Sequence, residues 1–248
     1  MGDLWYTAQQ PQIVFPAIYM MSRHAHVHVS VVLDEAQWSS GGMQTRTLLR
    51  GSSGLVWMSM PIAGGTSQRP LREMQLGENW KKILYNKVRG VYGGSPCFRE
   101  GMDVVEWVLG KTGDKTSVPE MAHTMLYCLR DLLNLQFRIV HSLNILPGRP
   151  KEPCQWICNL GVALGATDYV QGQMAIRGYF VPGTFSRAGI RLWGQDFTCP
   201  QYKGRHGVYS SDLSILDSIM MIGVSASRAL LGTTFDPVEF CEWMEGME

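Results

Sequence analysis

The sequence predicts an α/β fold of the Rossmann-like, three-layer kind, in which a mostly parallel sheet carries helices on both faces and the middle of the chain is helical. Two observations predict it. In the second half of the chain, short apolar runs rich in β-branched residues alternate with longer stretches of helical periodicity, which is the pattern of βαβ units. In the middle of the chain, apolar residues recur at helical spacing without an intervening strand pattern.

Length and charge limit the classes of protein to consider. The chain has 248 residues, enough for one large domain or two small ones that share a core, and its 22 Lys and Arg against 21 Asp and Glu give a formal charge of +1. No basic footprint for nucleic acid or for an anionic membrane follows from this balance. The first ten residues lack a basic leader region and Pro16 interrupts the apolar run 13–21, so we expect a cytoplasmic protein without a membrane span.

The first elements are a strand and a hairpin. The apolar run Ile13 to Met21 leads into His26 to Leu33, where alternation and β-branched residues predict a strand that ends at Asp34. The runs Arg46 to Arg50 and Leu55 to Pro61 are separated by two glycines and two serines, which predicts a hairpin.

Helices are predicted next. Trp80, Leu84, Val88 and Tyr92 fall at helical spacing after Asn79, and glycines follow them. Two further helices are predicted over Gly101 to Leu109 and Val118 to Leu133. The polar stretch 112–117 predicts a loop between an N-terminal lobe, 1–111, and a C-terminal lobe, 118–228, with a tail helix in 229–248.

The second half alternates between strands and helices. The predicted elements are strands at Phe137 to His141, Asp168 to Gln171 and Ile190 to Phe197, and helices at Pro153 to Leu164, Gln173 to Phe180 and Leu213 to Ile222. In the tail, Asp236 and Pro237 have the positions of an N-cap and a first helical residue. Ligands of such sheets bind beyond the carboxyl ends of the strands, which directs attention to Asp34, His141, Gly172 and Gln195.

A polar cluster follows the first predicted strand. Asp34, Glu35 and Gln37 lie there, and Arg46 comes about one hairpin arm later. A carboxylate near a guanidinium suits the anchoring of an amine or phosphate, or general base catalysis on an attacking amine. The alternative is a structural ion pair or a solvated turn.

The histidines offer two interpretations each. His24, His26 and His28 alternate, so on a strand they would all face one side, as metal ligands do. A solvated strand entrance is the other interpretation. No metal site is predicted. His141 ends an apolar strand, where it would act as a proton shuttle or cap the sheet.

Phosphate chemistry has one candidate position. Lys81 and Lys82 follow Asn79-Trp80 in the first turn of a helix, where a lysine would add its charge to backbone N–H groups that favour anions. A solvated helix face is the alternative. Neither GxGxxG, GxxxxGK[ST] nor GxSxG occurs, so the usual signatures of dinucleotide binding, ATP binding and serine hydrolysis are missing.

Several segments, in order, resemble the motifs of the WbqC-like family over roughly residues 8 to 223. They are Gln10-Pro11-Gln12-Ile13-Val14-Phe15-Pro16, Leu33-Asp34-Glu35-Ala36-Gln37-Trp38, Arg46, Asn79-Trp80-Lys81-Lys82, Leu164 to Gly172, Pro200 with Tyr202, and Leu213-Ser214-Ile215-Leu216-Asp217. The chain departs from the pattern at Gln9, Thr45 and Pro153, where the family has histidine, asparagine and lysine. A substrate different from that of typical members is therefore expected.

The resemblance implies a transferase that adds a small amino acid or acyl group, such as glycine, to an amino-sugar nucleotide or another phosphorylated acceptor. It implies catalytic roles for Asp34 and Glu35, and the position of His141 at a predicted strand end makes that residue a third catalytic candidate. The residues that the resemblance implies for substrate binding are Gln10, Pro11, Gln37, Arg46, Asn79, Lys81, Gly172, Tyr202, Ser214 and Asp217. No particular cofactor follows from it.

Two rival functions stay open. One is amino acid transfer onto a modified base in DNA, as a phage might use, for which the basic residues near Lys81 would provide a local patch and salt-dependent duplex binding would be the sign. The other is a noncatalytic binding or scaffold module. The expected partner is a small molecule, such as an amino acid or a nucleotide sugar, with nucleic acid and a homodimer as further candidates.

Overall fold

A computed structural model describes residues 2–39, 41–64, 69–148, 151–172, 175, 178, 180–203 and 208–240. Its strands are β1 (Trp5–Gln9), β2 (Val29–Val32), β3 (Arg46–Gly51), β4 (Gly54–Ser59), β5 (Ile62–Ala63), β6 (Gln75–Leu76), β7 (Arg138–His141), β8 (Asp168–Gly172), β9 (Arg191–Asp196) and β10 (Asp236–Glu239). Its α-helices are α1 (Ile18–Ala25), α2 (Trp80–Tyr92), α3 (Phe98–Gly110), α4 (Val118–Leu132), α5 (Pro153–Leu164), α6 (Pro182–Arg187) and α7 (Ile215–Leu231), and short 3-10 turns cover Leu71–Glu73 and Ser142–Asn144.

Six of these strands form one sheet in the order β10-β9-β8-β1-β2-β7. Every neighbouring pair is parallel except β10 with β9. The predicted α/β class with a mostly parallel sheet is therefore confirmed. The chain moves outward from β1 through β2 to β7 and then returns to place β8 on the other side of β1, so the direction of winding reverses between β1 and β8.

Helices cover both faces of the sheet. Successive side chains of a strand point to opposite faces, so each face of this buried sheet carries apolar side chains that a helix layer covers. Tyr6 and Val31 contribute to one buried cluster, which also contains Ile157 of α5 and Phe185 of α6. Val32, Ile139 and the apolar sides of α1, α2, α3, α4 and α7 form the other cluster. None of the helices in the described ranges is both long enough and apolar enough to cross a lipid bilayer.

The predicted hairpin and helices are present close to their expected bounds. β3 and β4 pair antiparallel, with Leu48 opposite Trp57. α5 covers the predicted residues, and α2 buries all four predicted apolar positions. α4 begins at a capping box in which Ser117 and Glu120 satisfy each other's backbone N–H groups, and this local signal explains why its start was predictable.

The start of the chain differs from the prediction. β1 was not predicted, because Trp-Tyr-Thr-Ala-Gln carries no apolar alternation, yet Tyr6, Thr7 and Ala8 are fully buried in the centre of the sheet. The predicted strand from His26 was too long at its start, since α1 extends to Ala25 and β2 begins at Val29. His24 and His28 therefore do not share a strand face. The solvated strand entrance expected at these histidines is wrong for His24, which is 1% exposed.

The tail also differs from the prediction. Asp236 and Pro237 begin a strand and not a helix, and Pro237 lies opposite Gln195 of β9. A proline lacks a backbone N–H, but an edge strand needs pairing on one side only, so the sheet edge accepts it. α7 extends to Leu231, beyond the predicted end at 222. Most of the predicted helix at 173–180, and the tail after 240, lie outside the described residues.

The division into two lobes stays a prediction. β1 and β2 come from the first of these lobes, and β7, β8 and β9 come from the second. The 112–117 segment lies between α3 and α4, as expected for a loop.

Candidate functional site

A cavity of about 920 Å³ lies at the carboxyl ends of the central strands. Gln9 of β1 and Gly172 of β8 line it on the two sides of the point where the winding reverses, and Gln195 of β9 and Leu33 after β2 extend it sideways. This is where α/β sheets bind their ligands, because the loops after neighbouring strands diverge there and leave a crevice. Of the four strand-end residues expected to mark a site, Gly172 and Gln195 line this cavity.

Helices α1 and α5 supply its other walls. Tyr19 and Arg23 project from α1, and Trp156 projects from the first turns of α5. Lys151, just before α5, also contributes to the lining. The cavity therefore combines aromatic surface with charges of both signs, since Glu35, Asp196 and Asp212 line it as well.

Among the described residues that line the cavity, seven are glutamines. They are Gln9, Gln10, Gln12, Gln37, Gln44, Gln171 and Gln195. Each primary amide offers a neutral acceptor and two donors, so such a lining suits a ligand with many hydroxyl, carbonyl or amide groups.

Arg23 is a buried cation in this wall. Only 3% of the residue is exposed, and its Nε donates to Gln195 Oε1 at 3.0 Å while Nη1 donates to Gln171 Oε1. Both amides are themselves anchored, because Gln171 Nε2 donates to the carbonyl of Ala8 and Gln195 Nε2 to that of Tyr19, each at 3.0 Å. The guanidinium is thus held in one orientation at the ends of β8 and β9. Sequence reasoning missed Arg23, since no motif contains it and α1 itself was not predicted.

Two buried polar atoms in this lining have no hydrogen-bond partner within the described part of the chain. One is Oε2 of Glu35, a residue that is 1% exposed and whose Oε1 accepts from Arg72 Nη1. The other is Nε1 of Trp156. An unmet buried acceptor or donor costs about 1–3 kcal/mol. One unmet acceptor and one unmet donor thus belong to residues that line the same cavity.

Asp34 and His141, both predicted as catalytic, are in contact. The carboxylate oxygens of Asp34 lie 3.0 and 3.1 Å from His141 Nδ1, and His141 Nε2 lies 2.5 Å from Nδ1 of His123 on α4. Burial, followed by the charge of His141, lowers the pKa of His123. This group lies apart from the cavity, whose described lining includes Glu35 but none of these three side chains. His123 was missed because nothing in α4 marks it.

The other residues predicted for substrate binding fall into four places: the cavity and its edge, the hairpin, the start of α2 and a buried network. Gln10, Gln37 and Gly172 line the cavity, while Pro11 lies beside it in a small gap next to Gln9. Arg46 covers the Trp57 ring at 4.3 Å on the hairpin.

Asn79 and Lys81 are at the start of α2 and lie outside the described lining. Asn79 has a left-handed backbone with φ of 58°. Lys81 Nζ donates to the carbonyl of Thr112 at 2.6 Å and lies 3.2 Å from Asp114. These contacts attach α2 to the 112–117 loop.

Tyr202, Ser214 and Asp217 belong to a buried network instead of the cavity. Asp217 accepts from Arg50 Nη2 at 2.8 Å, from Tyr92 Oη at 3.1 Å and from Tyr202 Oη. Burial raises the pKa of Asp217, and the hydrogen bond from Tyr202 and the charge of Arg50 oppose that rise. Ser214 is the N-cap of α7, where Oγ accepts from the Leu216 N–H at 3.2 Å. The network fastens α7 to the hairpin.

No group of three or more His, Cys, Asp or Glu side chains in the described ranges is arranged to hold a metal ion. Of the three alternating histidines, His24 is buried against Phe137, and His28 Nδ1 accepts from the Trp5 N–H.

Comparison with known proteins gives two matches. A family profile described as the WbqC-like protein family matches residues 10–229. The chain is also similar to an uncharacterised protein, Rv1507c, of Mycobacterium tuberculosis, with 23% identity over 209 residues that cover 82% of this chain and 87% of that protein. The family match spans the buried Asp217 network and the cavity-lining residues from Gln10 onward.

Proposed function

The chain belongs to the WbqC-like protein family, and we propose that it is a transferase that adds a small amino acid or acyl group, such as glycine, to the amine of an amino-sugar nucleotide or of another phosphorylated acceptor. The main support for this proposal is the oxygen Oε2 of Glu35. This buried carboxylate oxygen belongs to a residue that lines the cavity, and it has no hydrogen-bond partner in the described part of the chain.

Glu35 would bind the acceptor amine. A carboxylate accepts hydrogen bonds only, so Oε2 is complementary to an N–H group. In the transfer, the amine nitrogen forms a bond to the carbonyl carbon of an activated acyl donor and the bond from that carbon to the leaving group breaks. The nitrogen releases a proton, which Oε2 is placed to accept.

The rest of the lining supports a nucleotide sugar as the acceptor. The amide side chains would bind sugar hydroxyls and the carbonyls of a base, and Trp156 Nε1 offers one further donor. Arg23 and Lys151, which line the cavity together with three carboxylates in its described lining, would bind the phosphate groups of the acceptor.

The proposal is tested by calorimetric titration of a uridine-diphosphate-linked 2-amino sugar, with its N-acetylated form as the comparison ligand. We expect the free amine to bind more tightly than the N-acetyl form. Glu35→Gln should weaken binding of the amine by roughly ten- to hundredfold, because a hydrogen bond to a charged group is lost. Binding of the N-acetyl form should change much less.

Glu78→Gln is the matched control, since Glu78 is exposed and outside the cavity lining. It should leave both affinities unchanged. Equal effects of Glu35→Gln on the two ligands would contradict the role of Glu35, and no binding of either ligand by the unchanged protein would contradict the nucleotide-sugar acceptor. Incubation with an activated glycyl donor, followed by mass spectrometry of the acceptor, then tests the transfer itself.

Binding experiments on the same purified protein distinguish the two rival functions predicted from the sequence. Binding of short duplex DNA that weakens steeply with salt would favour a nucleic-acid acceptor. A protein that binds neither class of ligand fits the scaffold role. A homodimer and a cytoplasmic location stay predictions.

A further inference from the structure

Asp34, His141 and His123 form a continuous hydrogen-bonded chain beside the cavity wall. The Asp34 carboxylate lies 3.0 Å from His141 Nδ1, and His141 Nε2 lies 2.5 Å from His123 Nδ1, with the two ring planes only 11° apart. The side chain of Asp34 is 2% exposed and that of His141 is 20% exposed. The three residues come from the end of β2, the end of β7 and the second turn of α4.

The hydrogen atoms in this chain have only one consistent arrangement when both rings are neutral. A carboxylate has no proton to donate, so the N–H of His141 must be on Nδ1, and its Nε2 then carries a lone pair. Only an N–H on Nδ1 of His123 can donate a hydrogen bond to that lone pair. His123 therefore determines whether His141 keeps the tautomer that binds Asp34.

Asp34 in turn fixes the backbone next to Glu35. The Asp34 N–H donates to Ser142 Oγ at 3.1 Å, and its carbonyl accepts from the Arg72 N–H at 3.1 Å. The guanidinium of Arg72 donates to Glu35 Oε1. Asp34, the residue before Glu35, is thus held through its side chain, its N–H and its carbonyl. Arg72, whose N–H binds that carbonyl, also holds the Glu35 side chain.

We infer that His123 is a positioning residue for the cavity: it holds His141 in the tautomer that binds Asp34, and Asp34 fixes the segment that presents Glu35 to the ligand. This inference rests on the proposed function, because it takes Glu35 to be a ligand-binding group. His123 itself does not line the described cavity.

The groups that face His123 are Asp34 just after β2, His141 from β7, and Tyr127 and Arg130 from α4 itself. Burial, followed by the charge of His141, lowers the pKa of His123, which favours the neutral ring that this arrangement requires.

Two variants of His123 separate its hydrogen bond from its shape. His123→Gln supplies an amide N–H that does not titrate, whereas His123→Phe keeps a ring that can pack on Tyr127, which lies 4.2 Å from His123 between centroids, and has no donor. The probe is the uridine-diphosphate-linked 2-amino sugar, titrated at about pH 8, above the ordinary histidine pKa.

We expect His123→Gln to bind like the unchanged protein and His123→Phe to bind about two- to tenfold more weakly, the effect of one lost hydrogen bond. An affinity of His123→Phe equal to that of the unchanged protein would overturn the inference.

Nuclear magnetic resonance of the ligand-free protein tests the same inference without the probe. The ring ¹⁵N shifts should place the proton on Nδ1 of both histidines, and His123→Phe should shift the side-chain carboxyl ¹³C resonance of Glu35 but not that of Glu78. A proton on Nε2 of either neutral ring, or an unmoved Glu35 resonance, would overturn the positioning role. If the probe does not bind but these shifts are seen, the proposed function fails and the hydrogen-bonded chain stands.

Discussion

His24 couples the stability of the fold to pH through a single side chain. It is 1% exposed, its ring lies 5.2 Å from that of Phe137, and neither ring nitrogen has a hydrogen-bond partner in the described part of the chain. Burial, with a contribution from the charge of Arg23, lowers the pKa of His24 to about 3. The unfolded chain therefore takes up this proton first, and stability is lost as pH falls from about 6.5 towards the folded value.

Replacing His24 with leucine should remove this sensitivity. At about pH 4.5 the unchanged protein should have lost about 2–3 kcal/mol of unfolding free energy that His24→Leu retains, relative to each protein at neutral pH. Denaturant unfolding at the two pH values measures it. His28→Gln, a change at an exposed histidine, serves as the control and should follow the unchanged protein. Equal losses in all three proteins would show that His24 is not the group responsible.

At the level of single residues, sequence reasoning identified part of the candidate site. Glu35, Gln10, Gln37 and Gly172 came from motifs near strand ends, and all four line the cavity. Arg23, Trp156 and His123 gave no signal, because their relevance depends on which distant residues they meet. Asp217 and Tyr202 illustrate the reverse case, in which the residue belongs to a motif but its contacts lie in the core.

Helix α7 contains a break at Gly223. This residue has φ of 81° and ψ of 169°, and the N–H of the next residue, Val224, donates to Glu100 Oε1 of α3 at 3.1 Å. Glu100 thus acts as the cap for the second part of the helix. A Cβ at 223 would lie 2.7 Å from Glu100 Oε2, so both backbone conformation and space require glycine here.

Gly223→Ala should therefore lower the unfolding free energy by about 1–3 kcal/mol, the cost of a strained backbone conformation together with displacement of the capping carboxylate. Gly90→Ala is the matched control. Gly90 lies within α2 with open space around its missing Cβ, so alanine there should stabilise the protein by about 0.5–1 kcal/mol. Chemical denaturation measures both changes, and the same sign for the two variants would contradict this account of the break.

Elements with local signals were predictable, and elements defined by distant pairing were not. α4 and α5 begin where a capping box or an early proline marks their start. β1 and β10 are strands because of their neighbours in the sheet, β8 and β9, which are far away in sequence. Periodicity within β1 could not indicate this, since both of its faces are buried and its residues are partly polar.

For the whole molecule, the Asp217 network joins segments that are far apart in the chain. It connects Arg50 of β3, Tyr92 at the end of α2 and Tyr202 to the first turn of α7, and the side chains of Arg50 and Asp217 are fully buried. A buried ion pair contributes little when compared with an apolar replacement, but removal of one partner leaves an uncompensated charge.

Asp217→Asn should accordingly lower the unfolding free energy by about 3–5 kcal/mol. The double variant Arg50→Met with Asp217→Leu should recover a large part of that loss, because no buried charge is left. Asp131→Asn removes the partner of the surface residue Arg130, in a pair that is 25% and 57% exposed, and should cost under about 1 kcal/mol. If the double variant were no more stable than Asp217→Asn, the uncompensated charge would not be the cause.

The position of β1 also has a consequence for the order of events in folding. β1 lies between β2, its near neighbour in sequence, and β8, with Trp5 opposite Asp168. Contacts over such separations close large loops, which slows folding. During synthesis, β1 can pair with β8 only after β8 has emerged from the ribosome. The ligand cavity, whose walls include Gln9 and Gly172, therefore cannot form before most of the protein has been made.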